Sequence, residues 1–193
     1  SDFVLGHSNI KRWAYAASKI HGEQLIIANG DQHGLDYTIV RFFGSYGPNQ
    51  NLTWWGGPQS VFIQKALERK EIEIHGDGLQ TRTFTFVRDT VRALQWCVVD
   101  GKSSGEIFNI ASFPEEEITI RRLAELIWEL VNGPDLTPAL KMIPYSTFGR
   151  YEDVLRRVPD VSKLRRLSGI MPRYTLREGL RMTIDWQSQI HQL

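Results

Sequence analysis

An α/β fold with a largely parallel sheet is the class that the sequence predicts, and three observations predict it. Helix-period segments alternate with short β-branched and aromatic runs. Several of those runs are apolar throughout or alternate with period two, as strands do. The intervening stretches are short and rich in Gly, Pro, Asn and Asp.

The elements follow in order. Residues from Lys11 to about Asn29 read as a helix that "NGDQHG" ends. "LDYTIVRFF" gives a buried strand over Tyr37 to Arg41, and "GSYGPNQNLTWWGGPQ" is a long loop of the kind that often binds ligands. "SVFIQKALERK" is amphipathic, with Phe62, Ile63, Ala66 and Leu67 on one side. "EIEIHG" and "TRTFTFV" alternate as half-buried strands do. "RDTVRALQWCVVD" is a helix whose Asp89 reads as its N-cap. "GEIFNIA" is a strand. "TIRRLAELIWELV" carries the stripe Ile120, Leu123, Leu126, Ile127 and Leu130, and "LKMIPYS" reads as a short strand before the polar loop "TFGRYEDVLRRVPD". Thr175 and Glu178 in "TLRE" fit a capping box at the last helix.

An open nucleotide-binding sheet normally begins with strand, glycine-rich turn and helix, and that opening is absent here. The "GDG" at Gly76 to Gly78 lies between two strand-like runs, so it is no dinucleotide fingerprint. The chain reads as the back portion of a larger fold.

With 193 residues, 41% of them hydrophobic, the chain can bury one sizeable core. A net charge of +1 with interspersed signs argues against a nucleic-acid or membrane-surface partner. No apolar run is long enough to span a bilayer, and the N-terminus "SDFVLGHSNIKRW" lacks a leader's basic and apolar regions, so a cytoplasmic protein is expected. The single cysteine, Cys97, reads as a buried thiol in a reducing compartment. The five histidines, His7, His21, His33, His75 and His191, show no metal-ligand spacing. Trp54 and Trp55 either stack on a ligand or bury against their own loop.

The chemistry concentrates in "RWAYAASKIHGEQL". Tyr15 and Lys19 are four apart on a helix and share a face. A cation beside a phenol favours the phenolate, turning a residue with an ordinary pKa near 10 into a usable base. Beside a nicotinamide, such a tyrosine can exchange the proton of a sugar hydroxyl. The plain alternative is a solvated Tyr and Lys one turn apart.

That segment resembles the Tyr-x-x-x-Lys helix of the extended short-chain dehydrogenase/reductases, a group of NAD-dependent nucleotide-sugar epimerases, dehydratases and decarboxylases. Further blocks are similar in the same order: "YTIVRFFGSYGP", "FIQKALERKEIEIHGDGLQTRTFTFVRDTVRAL", "GEIFNIAS" with "ITIRRLAELI", "RRVPDVSKLRRLSG" and "TLREGLRMTIDW". Within the group, "SDFVLGHSNIKRWAY" and "FGRYEDVLRR" look closest to UDP-glucuronic acid decarboxylases and related epimerases. The resemblance implies the C-terminal part of a Rossmann-like doubly wound fold plus a smaller α/β substrate lobe. Residues 1–50 would belong to the NAD-binding domain and 51–193 mostly to the lobe, with 84–112 returning to the sheet.

It implies that Tyr15 is the catalytic acid/base and that Lys19 holds the nicotinamide ribose, both touching NAD. Arg82 matches an arginine on the substrate pyrophosphate, Arg157 another at the nucleotide-sugar end, and Tyr151 an aromatic against the base. Two guanidiniums suit a pyrophosphate because they bond it in pairs. The alternative for each arginine is a surface ion pair, and Arg156 competes with Arg157. The implied reaction oxidises the sugar at C4 to a keto intermediate, which then epimerises, eliminates or decarboxylates. A homodimer through the tyrosine helix is implied as well.

Gly44 stands where most relatives carry an asparagine, and both the glycine-rich turn and the Ser/Thr segment before the tyrosine are missing. The expectation is therefore a fragment that does not turn over by itself. The competing reading is a non-catalytic binding or scaffold module that retains the fold.

Overall fold

The computed structural model describes residues 6–191, so the start of "SDFVLGHSNIKRWAY" and the side chains of Trp54 and His191 lie outside the described set. The helices are α1 (Trp13–His33), α2 (Pro58–Leu67), α3 (Val87–Val99), α4 (Ile120–Asn132), α5 (Ser162–Ser168) and α6 (Leu176–His191). The strands are β1 (Thr38–Phe42), β2 (Ser45–Tyr46), β3 (Ile72–His75), β4 (Thr81–Arg82), β5 (Thr85–Phe86), β6 (Glu106–Ile110), β7 (Ile118–Thr119), β8 (Leu140–Ile143) and β9 (Arg156–Arg157).

The pairing is mostly parallel, as the alternation of helix and strand requires. β1 runs beside β6 with Thr38 opposite Glu106 and Phe42 opposite Ile110. β2 pairs with β5, β3 with β8 and β4 with β9, all in parallel, and only β7 joins β4 antiparallel among the described residues. Connecting helices supply the crossovers that such pairs need. No helix among the described residues is long and apolar enough to cross a membrane.

Two apolar clusters hold these layers. In the larger, Phe62 and Ile63 of α2, Ile72 and Ile74 of β3, and Leu123 and Ile127 of α4 meet Leu180 of α6. The α4 stripe that the sequence predicts is the stripe that is buried, with Leu130 at its edge. The smaller cluster sets Ala93 and Cys97 of α3 against Phe108 and Ile110 of β6 and Leu164 of α5. Burial pushes the Cys97 thiol upward, which keeps it protonated and inert.

Local expectations met several departures, and of β1, expected as a buried strand over Tyr37 to Arg41, only Ile39 is buried. α1 runs through "NGDQH" and stops at Gly34, whose φ of 66° and bond from its N–H to the Gly30 carbonyl form the left-handed cap. Gly30 serves packing instead, since a Cβ there would lie 2.5 Å from the Tyr37 ring. "TRTFTFV" is no half-buried strand. Thr83 to Phe86 are all buried, and the run splits between two sheets, with Thr85 donating to the Phe43 carbonyl and accepting from the Ser112 N–H. Asp89 does not cap α3. The cap position is Phe86, and the Asp89 carboxylate instead accepts the N–H groups of Arg173 and Tyr174 just ahead of α6. Trp55 does not bury against its loop, being 90% exposed.

The α6 capping box is present: Glu178 accepts the Thr175 N–H at 2.8 Å, and the Thr175 hydroxyl accepts the Glu178 N–H at 3.3 Å. Thr175→Ala should therefore cost about 1 kcal/mol in chemical denaturation, the usual worth of an N-cap. A change below a few tenths would show that core packing alone fixes that helix end.

Candidate active-site cleft

A cleft of about 380 Å³ opens between β3, β4, the start of α2 and the loop that leads into β9. Arg82 on β4 enters it with only 12% of its side chain exposed. Its Nη1 donates to the Thr81 carbonyl at 2.7 Å and its Nη2 to Asp153 Oδ1 at 3.3 Å. Burial lowers the Arg82 pKa from its ordinary value and Asp153 opposes that, but a guanidinium remains charged throughout. Arg157, one strand over on β9, also lines the cleft. Desolvation first, then repulsion from Arg82 and Arg12, pull it down, although much of its surface stays open to solvent.

Tyr151 lines the same cleft, stacked on Tyr145 with ring centroids 5.1 Å apart. The three residues expected at the nucleotide-sugar end, Arg82, Arg157 and Tyr151, thus come together. Arg156 does not join them. It turns away to a paired contact with Glu117, at 2.9 and 2.8 Å.

Two participants were not anticipated. Arg12, the residue before α1, reaches into the cleft, bonds the Tyr151 hydroxyl and lies 2.9 Å from Asp153 Oδ1. Asp153, 8% exposed, receives both Arg12 and Arg82, and its Oδ2 accepts the Tyr145 hydroxyl at 2.5 Å. Burial and this carboxylate push the Tyr145 phenol well above its ordinary pKa, so it stays a hydrogen-bond donor. The signal for Arg12 was within reach, because it stands three residues before Tyr15 and hence on the same helix face.

The inner wall is polar and unsatisfied. Gln59 Nε2, Gln80 Oε1 and Thr83 Oγ1 are buried without a hydrogen-bond partner among the described residues, and all three side chains line the cleft. Buried polar atoms left this way mark a place for a ligand or an ordered water. Gly44 lines the cleft too, at φ 56°, where a Cβ would meet the Thr83 carbonyl at 2.6 Å and the Phe84 ring at 2.9 Å. Its glycine is thus demanded by packing in this chain.

Tyr15 and Lys19 occupy the first turns of α1, outside the cleft lining but just beyond Arg12. Tyr15 is 72% exposed, and the Lys19 ammonium sits 5.4 Å from its ring centroid. None of the 21 residues of α1 is buried, and Tyr15 and Lys19 are both exposed. Such a pair can bind a ribose and move a proton at a hydroxyl placed against the phenol. No cluster of His, Cys, Asp and Glu among the described residues could hold a metal ion.

A family model described as NAD dependent epimerase/dehydratase matches residues 6–111. The chain is 35% identical over 192 residues to a UDP-N-acetyl-alpha-D-glucosaminuronate decarboxylase of Bacillus cytotoxicus, covering 98% of this chain and 57% of that protein. It is 30% identical to a UDP-D-apiose/UDP-D-xylose synthase of Oryza sativa subsp. japonica, covering 99% and 52% respectively. Among solved structures it resembles a UDP-glucose 4-epimerase of Thermotoga maritima with UDP-glucose, at a TM-score of 0.80 and 29% identity over 92% of this chain and 54% of that one. The chain spans about half the length of the curated relatives it matches.

Proposed function

The chain belongs to the NAD dependent epimerase/dehydratase family, and from that premise we propose that its parent enzyme acts on a nucleotide sugar through a 4-keto intermediate. The observation that carries this is the charge of the cleft. Arg12, Arg82 and Arg157 face a single buried carboxylate, Asp153, so three positive charges against one negative leave an excess of two. Glu73 at the rim is paired outward with Lys141. A sugar-linked diphosphate carries two negative charges, and guanidiniums bond its oxygens in pairs. The polar inner wall of Gln59, Gln80 and Thr83 suits the neutral, hydroxyl-rich remainder of such a ligand, and Tyr151 offers a ring for the base.

The phenol and ammonium on α1 fit the nicotinamide-ribose end of NAD. The residues for its pyrophosphate are not among those described: the turn at Gly76 and Gly78 follows β3 and leads to β4, not to a helix. When bound, the cofactor supplies the two-electron acceptor for a sugar carbinol. Tyr15 takes the proton from that hydroxyl and later returns it. Lys19 holds the ribose, and the arginines fix the far end of the substrate so that its ring lies against Tyr15. Epimerase, dehydratase and decarboxylase outcomes all begin at this step, and UDP-glucuronate and UDP-glucose are the first substrates to try. The described residues hold only part of the cofactor site, which supports the inference that they do not turn over alone.

We read 1–50 with 84–112 as the cofactor-side sheet, on the strength of the β1–β6 pairing, and the remainder as the substrate lobe. Leu25 and Ile26, exposed on α1, support a homodimer through that helix. A cytoplasmic setting is the reading that suits the buried free thiol of Cys97. The rival reading, a binding module without chemistry, rests on Gly44 and on the missing cofactor half, and the close approach of Thr83 and Phe84 gives that glycine a packing reason instead.

Calorimetric titration with UDP tests the cleft. Arg82→Gln should weaken binding by about 10- to 100-fold, since a hydrogen bond to a charged group is worth about 1.5–3 kcal/mol. Absence of UDP binding at millimolar concentration, or an unchanged affinity in the variant, would remove the nucleotide reading.

A further inference from the structure

The loop that precedes β9 does more than carry Tyr151. It is fastened to the first turn of α1 at three points: Tyr151 to Arg12, Glu152 to the Trp13 indole N–H at 3.0 Å, and Asp153 to Arg12. The same Asp153 holds Arg82 of the substrate lobe and the Tyr145 hydroxyl, while its Oδ1 also accepts the Val154 N–H at 2.7 Å. Resting on the nucleotide-sugar reading of the cleft, we propose that Asp153 is the positioning residue that converges Arg12 and Arg82 on the diphosphate and, through Arg12, sets the first turn of α1 three residues ahead of Tyr15.

The electrostatics explain why one carboxylate is needed. Three guanidiniums that share a cleft repel one another, and Arg157 registers both Arg82 and Arg12 in this way. Without a buried counter-charge, each long side chain would relax toward solvent, and a ligand would have to gather them again on binding. Asp153 makes that arrangement before the ligand arrives. Its two oxygens are fully engaged, one by Arg12, Arg82 and a backbone N–H, the other by Tyr145, so its orientation is itself held. A carboxylate acting only as a competing counter-ion would have the opposite effect, because removing it would strengthen the pull on an anion.

Asp153→Asn keeps the shape and removes the charge. Two measurements decide. Hydrogen exchange on the ligand-free protein should show faster exchange at the first turn of α1 in the variant, with the amides of α4 unchanged. Titration with UDP should show binding about 10-fold weaker, and Arg12→Gln added to Asp153→Asn should weaken it by less than the product of the two single effects, since both act on one contact. An unchanged exchange rate at α1, independent effects that simply multiply, or tighter UDP binding in Asp153→Asn would each overturn the proposal. Should the wild-type protein take no UDP, the nucleotide reading fails, and the exchange measurement still decides whether Asp153 positions α1. If Asp153→Asn does not fold, Arg12→Gln alone must raise exchange in the same turn, and failure to do so overturns it.

Discussion

Tyr15→Phe is expected to slow turnover of a nucleotide sugar by at least about 10²-fold while leaving UDP affinity within about twofold. The substitution removes one oxygen from a side chain that is 72% exposed and makes no core contact, so the fold has no reason to change. Lys19 stays where it is, and the arginine cleft lies beyond Arg12. What is lost is the group that exchanges the sugar hydroxyl proton, and positioned acid/base catalysis is worth roughly 10²- to 10⁴-fold. The assay compares kcat and KM for UDP-glucuronate and UDP-glucose in the enzyme with its cofactor site complete. A fall in kcat at constant KM is the signature of an interaction made only in the transition state. Turnover within about threefold of wild type would return Tyr15 and Lys19 to the plain reading of two solvated neighbours on a helix.

Which parts of this arrangement could be read from the chain follows from how local their causes are. The α4 stripe, the alternation in β3 and the Thr175–Glu178 box depend on residues within one or two turns of each other, and each is present. The shared face of Tyr15 and Lys19 is equally local. The cleft's charge balance is not. Arg12 and Asp153 are at opposite ends of the chain, and nothing near either residue says that they meet. Gly30 misled for a similar reason: a glycine in a helix reads as a stop until the Tyr37 ring that occupies its missing side chain is known. "TRTFTFV" has the alternation of a strand with one wet face, yet Thr83 to Phe86 are covered on both faces, and of its threonines Thr85 finds partners in Phe43 and Ser112. Alternation reports side-chain polarity, and only the fold decides whether the polar side meets water.

Asp89 is the residue where that difference has the largest consequence for stability. Asp89→Ala is expected to lower unfolding stability by about 3 kcal/mol, without changing UDP affinity in the folded protein. The carboxylate is 5% exposed and accepts the N–H groups of Arg173 and Tyr174 at 3.0 and 3.1 Å, while Arg92 closes its other oxygen at 2.9 Å. Alanine removes the acceptor of both backbone donors, and a hydrogen bond to a charged group is worth about 1.5–3 kcal/mol. Arg92 suffers less, since it is partly exposed and also bonds the Met171 carbonyl. The segment so released leads into α6, whose Leu180 and Ile184 complete the larger core. For a protein of this size about 3 kcal/mol corresponds to a fall in Tm of roughly 6–12 °C. The alternative is that Asp89 merely places a negative charge in the first turn of α3, a service worth about 0.3–1 kcal/mol. The measured loss separates the two, because an N-terminal charge effect fades in high salt while the loss of two direct hydrogen bonds to a buried carboxylate does not.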